Sequence, residues 1–158
     1  MQNVPGAVAE NIVEHHSRLN SGSNSAAALG RWEVRVIQIK RAYEPASKTD
    51  GARILVERLW PRGIKKAALS LDAWLKDVAP STELRQWFRH DPAKWREFRK
   101  RYGRELEQNP EPWERLLRAR RGRLTLVYSS HDEEHNNAVA LKEFLEQKMK
   151  PWFRHKAA

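Results

Sequence analysis

The run Arg53-Ile54-Leu55-Val56-Glu57 constrains this chain more than any other segment. It is short and almost continuously apolar. A strand with one wet face alternates apolar and polar residues. A run without that alternation belongs to a strand covered on both faces, as in parallel sheets flanked by helices. Pro61 and Gly63 end it. Glu33 to Lys40 alternates around Val34 and Val36 and reads as a first strand. Arg123 to Tyr128 reads as the last strand. Leu71 to Val78 reads as another, with a short helix as the competing reading.

Between these runs the period becomes helical. Leu84, Trp87 and Phe88 recur at three and four residues. Asp91-Pro92 places an N-cap aspartate before a proline at the first helical position. The helix that follows should bury Trp95, Phe98, Tyr102 and Leu106 and expose Lys94, Arg96, Arg99, Lys100 and Arg101. Asn109-Pro110 repeats the device for a helix with Trp113, Leu116 and Leu117 inward, stopped at Gly122. Ser130 and Glu133 have capping-box spacing for a closing helix that buries Ala138, Leu141, Leu145 and Met149. Strands separated by helices predict a small three-layer Rossmann-like α/β domain, with a largely parallel sheet of about four strands flanked by helices. The expected boundaries are a disordered tail over 1–30, rich in Ser and Gly near its end, a domain over 31–150 and a basic tail over 151–158.

Charge and cysteine usage narrow the function classes. The formal charge is +10, and residues 31–158 carry 29 basic against 18 acidic side chains. Such a field attracts anions. Cysteine is absent, which excludes disulfides, thiol catalysis and cysteine metal sites and suits the cytoplasm. No apolar run approaches the roughly 20 residues of a membrane helix. No secretory leader is legible, and no membrane partner is expected.

In open α/β sheets, ligands lie beyond the carboxyl ends of strands. Two polar clusters fall there: Arg58-Leu59-Trp60-Pro61-Arg62-Gly63 and Ser129 to Asn136. Arg58 and Arg62 can clamp a phosphate or carboxylate, and Trp60 can stack a flat ligand. The competing reading has both arginines bonded to carbonyls and Trp60 in the core. Lys76 can face the crevice if its strand is central. Ser81 reads mainly as a helix N-cap whose free N–H groups can also hold an anion, and His90 as a loop residue near the ligand. Asp132 and His135, three apart on a first helical turn, make a general acid–base pair, with Asn136 bonding the ligand. His131-Asp132-Glu133-Glu134-His135 fits a zinc-protease pattern, but a third ligand is not evident and no metal site is assigned. Gly-rich nucleotide loops are absent from the sequence, so no cofactor is identified.

Several stretches resemble one bacterial family. They are residues 53–63, Trp74-Leu-Lys-Asp-Val-Ala-Pro-Ser-Thr-Glu-Leu-Arg85, Trp87-Phe88, His90-Asp91-Pro92 and Asp132-Glu-Glu-His-Asn136. Together they resemble the YeaO-like family, domain of unknown function 488, from Val34 to Leu145. The resemblance implies a compact three-layer α/β domain and supplies no reaction. Two departures stand out: Arg89 where the family usually has glycine, and His131 where it usually has a basic residue.

The leading expectation is a crevice at the strand ends that binds an anionic small molecule, with hydrolase or transferase chemistry at His135 as its extension. Nucleic acid is the alternative partner, through the basic face from Lys94 to Arg104. A protein-interaction module using surface tryptophans is the third reading.

Overall fold

The computed structural model describes residues 34–118 and 122–154, with side chains described as far as residue 150. The expected tail over 1–30 lies outside the described residues. Four strands form one sheet: β1 (Val34–Arg41), β2 (Ala52–Leu55), β3 (Ala73–Trp74) and β4 (Gly122–Tyr128). Their order is β1-β4-β2-β3 and every pair is parallel. The last strand therefore inserts between the first two. Arg41 pairs with Tyr128 and Leu55 with Val127, so three strands end at one edge.

Alternation along β2 and β4 splits the core in two. Ile54, Val56, Leu124, Leu126 and Tyr128 enter the larger core, while Leu55 and Val127 enter the smaller one on the other face. A register shift between Val34 and Val36 lets Val34 and Ile37, an odd number apart, share the larger core. This explains why β2 lacks alternation: both of its faces are dry. Burying such an aliphatic side chain stabilises the fold by about 1.5–3 kcal/mol.

Helices α2 (Thr82–Phe88), α3 (Trp95–Gln108), α4 (Pro110–Arg118) and α5 (Asn137–Arg154) contribute the helical side of the larger core. The smaller core is closed by the single turn α1 (Lys66–Leu69) with Trp60, Ile64, Leu71 and Trp74. Tyr102 of α3 is fully buried and donates to the Val78 carbonyl at 2.5 Å. Burial pushes its phenol far above the ordinary value, so it remains a neutral donor. No helix among the described residues is long and apolar enough to cross a membrane.

Two expectations need correction. The strand expected over Leu71 to Val78 is only Ala73–Trp74, and Lys76–Val78 is a 3-10 turn. Its partner β2 ends at Leu55, so no backbone continues the ladder, and Val78 turns into the core. Lys76 is thus on an exposed turn beyond an edge strand. The closing helix starts at Asn137 and not near Ser130. It runs to Arg154.

Arg89 ends α2 in the left-handed region, φ +47°, and His90 follows at φ +55°. Both are backbone conformations that L side chains resist. Arg89→Gly is expected to stabilise the protein by about 1 kcal/mol, seen as a thermal midpoint raised by a few degrees. An unchanged or lowered midpoint would show that the guanidinium makes a compensating interaction.

Candidate functional site

A cavity of about 300 Å³ opens where β2 and β4 end. Its wall is the chain leaving β2. Glu57 ties that chain to the end of β4, accepting from the Ser129 N–H at 2.9 Å and the Ser129 hydroxyl at 2.7 Å. Trp74 Nε1 donates to the Glu57 carbonyl, Trp60 Nε1 to the Ile64 carbonyl, and the Tyr43 hydroxyl to the Arg62 carbonyl. Large aromatic donors therefore hold a loop that has no ladder of its own. Phe88 and Phe98, stacked at 4.1 Å, line the apolar side, and Asn137 anchors α5 by donating to the Val56 carbonyl at 2.8 Å.

The polar lining is cationic. Arg58, Arg62 and Arg85 reach the cavity from the β2 loop and from α2, alongside His90 and His131. Arg58 Nε donates to the Pro80 carbonyl at 2.9 Å, which fixes its stem. Neither Arg62 nor Arg85 has a side-chain hydrogen bond or ion pair among the described residues. Glu57, the sole carboxylate in the described lining, is already used by Ser129. Tyr43 and Leu59, both largely exposed, stand in the same lining.

The segment after β4 is a tight polar turn. Asp132 accepts from the Glu134 N–H at 2.9 Å and the His135 N–H at 2.8 Å, and its second oxygen lies 3.0 Å from His135 Nδ1. The His135 backbone bond, with those from Glu134 and the imidazole, outweighs partial burial and holds the Asp132 carboxyl below its ordinary value. Asp132 and His135 do meet, but as members of a turn and not on one helical face. The His135 ring stands edge-on to Trp95 at 5.4 Å. His131 instead faces Arg41, 3.4 Å from its guanidinium, so the two histidines of the zinc-like pattern make different contacts.

Asn136 is fully buried and caps α5: its oxygen accepts from the Val139 N–H at 3.0 Å and its amide donates to the Asp132 carbonyl at 2.9 Å. The capping role expected of Ser130 belongs to Asn136. Asn136→Ala is expected to cost about 1–2 kcal/mol in urea unfolding, from the lost cap and the orphaned carbonyl. A loss under a few tenths would mean that water replaces both bonds.

Ser81 is similarly occupied. Its hydroxyl donates to Glu105 at 2.6 Å and accepts from the Leu84 N–H, while its own N–H bonds the same carboxylate at 2.9 Å. Lys76 lies over the Trp74 ring at 4.0 Å. Of the residues expected from sequence, Arg58, Trp60, Arg62 and His90 line the cavity; Lys76, Ser81, Asp132, His135 and Asn136 do not. Arg85, Ser129, His131, Tyr43, Glu57 and Asn137 line it without having been assigned roles. Ser129 and His131 were legible as positions following a strand. Arg85 was not, because on sequence it is one more charge on an amphipathic helix.

A family model described as the inactive DUF488-N3 subclade matches residues 36–155, which include every residue lining the cavity. The chain belongs to the DUF488 family. It is 47% identical over 110 residues to the uncharacterized protein YeaO of Escherichia coli, covering 69% of this chain and 96% of that one. It is 38% identical over 113 residues to an uncharacterized protein of Mycobacterium tuberculosis strain H37Rv, covering 72% and 95% respectively. A protein of Mycobacterium bovis, likewise uncharacterized, matches at 38% over the same length. No solved structure matches. In this DUF488 protein the family match thus spans the sheet, the helices and the cavity together.

Proposed function

We propose that this DUF488 protein binds a small phosphate- or carboxylate-bearing molecule in the cavity above β2 and β4, and holds it without turning it over. The observation that carries this reading is the convergence of Arg58, Arg62 and Arg85 on one cavity whose only described carboxylate is engaged elsewhere. Guanidiniums pair with such anions in a bidentate manner, and a partly enclosed site strengthens the pairing. Tyr43 and Leu59 offer apolar surface to the rest of the ligand. A cytoplasmic metabolite suits the site.

Two observations support binding over hydrolysis or group transfer. The matching subclade is described as inactive. His135 is outside the cavity lining, and its bonds to Asp132 lie within the turn that leads into α5. The tryptophan-based protein module has less support: the five tryptophans whose side chains are described are all buried or half-buried. The test is a thermal-shift and calorimetric screen of inorganic phosphate, nucleoside monophosphates and dicarboxylates on wild type, His135→Ala and the Arg62→Ala/Arg85→Ala double variant. Binding by wild type and His135→Ala, lost in the double variant, supports the reading. An unaltered response in the double variant, or none in wild type, sinks it. Turnover that His135→Ala abolishes would restore the catalytic reading.

A further inference from the structure

A second concavity, a groove of about 670 Å³, lies between α3 and α5 and shares no residue with the anion cavity. Among the described residues, Arg96, Arg99, Lys100, Arg104 and Lys148 line it against only Glu107 and Glu143. Both carboxylates are spent on holding the two helices together: Arg99 bonds Glu143 at 2.7 Å, and Lys148 bonds Glu107 at 3.1 Å. Arg101, on the neighbouring stripe, pairs with Glu97. Arg96, Lys100 and Arg104 form no ion pair or hydrogen bond among the described residues, and all three are exposed.

These three cations sit at every fourth position of α3, on one face. The helical rise places them about 6 Å apart along the axis. Neighbouring phosphates along one strand are about 7 Å apart, so such a ladder can meet successive phosphates. Gly103 also lines the groove, in the interior of a helix where glycine is unfavourable. A Cβ there would meet nothing within 4 Å, so internal packing does not demand the glycine. Its effect is to lower the groove floor and let a partner approach the helix backbone.

We infer that this groove is a binding surface for the phosphodiester backbone of nucleic acid, read without regard to base sequence. Charge and composition favour this partner over a protein. The exposed large hydrophobic residues among those described are Val36, Tyr43 and Leu59, none of them on α3 or α5. A protein interface needs an apolar centre, whereas nucleic-acid interfaces are polar and positive. The net charge of +10 adds a long-range attraction of the same sign.

The experiment is fluorescence anisotropy of a labelled 20-nucleotide single strand and its duplex with the full chain, across a salt series. Wild type should bind both with a steep salt dependence. The triple variant Arg96→Ala/Lys100→Ala/Arg104→Ala should lose about tenfold or more in affinity, and its salt slope should fall by about 2 on the single strand and about 3 on the duplex. Lys48→Ala/Lys65→Ala/Lys66→Ala removes the same charge elsewhere and should stay within about twofold of wild type. Gly103→Ala should melt higher yet bind severalfold more weakly. Equal losses in the two triples reduce the effect to net charge and overturn the inference. So does a wild type that binds neither probe, or a Gly103→Ala protein that binds as tightly as wild type.

Discussion

Arg53→Met is expected to cost about 3–5 kcal/mol, the typical penalty for removing one partner of a buried ion pair. Arg53 is buried in β2 on the face of the smaller core, and its Nη1 lies 2.5 Å from the Asp50 carboxylate. Its other nitrogens donate to the Ser70 carbonyl at 3.0 Å and the Leu69 carbonyl at 3.2 Å, which fixes α1 against the sheet. Methionine fills most of the space but makes none of these bonds. Lys40 stays with Asp50 at 3.1 Å, so the orphaned charge is only partly compensated. A domain of this size has about 5–15 kcal/mol in all, so the variant would sit near the edge of folding.

Acid should shrink that penalty. Burial raises the Asp50 carboxyl, but hydrogen bonds from the Ser47 N–H, Lys40 and Arg53 outweigh it, and the group sits below its ordinary 3.8. Stability from a carboxyl lowered on folding is fully present above the unfolded value and is lost as pH falls through the folded one. The gap between wild type and Arg53→Met is therefore widest near neutral pH and narrows as pH falls below about 4. Urea unfolding of both proteins at neutral and acid pH measures it. A gap that does not change with pH would show that Asp50 is not the group left unpaired.

In the second large prediction, Arg62→Ala and Arg85→Ala each weaken the binding of a phosphate- or carboxylate-bearing ligand about tenfold, and together about 100-fold. The estimate lies at the low end for charge-assisted bonds because both side chains are exposed. Truncation leaves no buried charge behind, so the thermal midpoint of the free protein should barely move. Calorimetric titration at low and physiological salt reads the loss, which should be larger at low salt. Large destabilisation of the free double variant would show that these arginines support the fold and not a ligand.

The extent to which this architecture was legible varied by element. β2 was read from its missing alternation, because burial on both faces leaves a composition that no surface strand needs. The onsets of α3 and α4 were legible from Asp91-Pro92 and Asn109-Pro110: Asp91 caps the 3-10 turn Pro92–Lys94 that runs into α3, and Pro110 is the first residue of α4. β3 was overestimated because its apolar pattern continues past the point where its partner strand ends. The start of α5 was misplaced because Ser130, Asp132 and Asn136 can all cap a helix. Only the packing of Asn136 beneath Asp132 selects among them.

For the candidate site, the sequence by itself determined the place: polar residues directly after apolar runs must lie beyond the strand ends, where the sheet stops and side chains can converge. Arg58, Trp60 and Arg62 were found in this way. What only the tertiary structure decided was membership. Arg85 enters because α2 lies along the cavity wall with Phe88, and His135 leaves because its ring contacts Asp132 and Trp95. Local chemistry is written within a few residues of the chain. Which distant side chains share one cavity depends on how helices settle on the sheet, and that is fixed by the sum of many weak contacts that no short motif records.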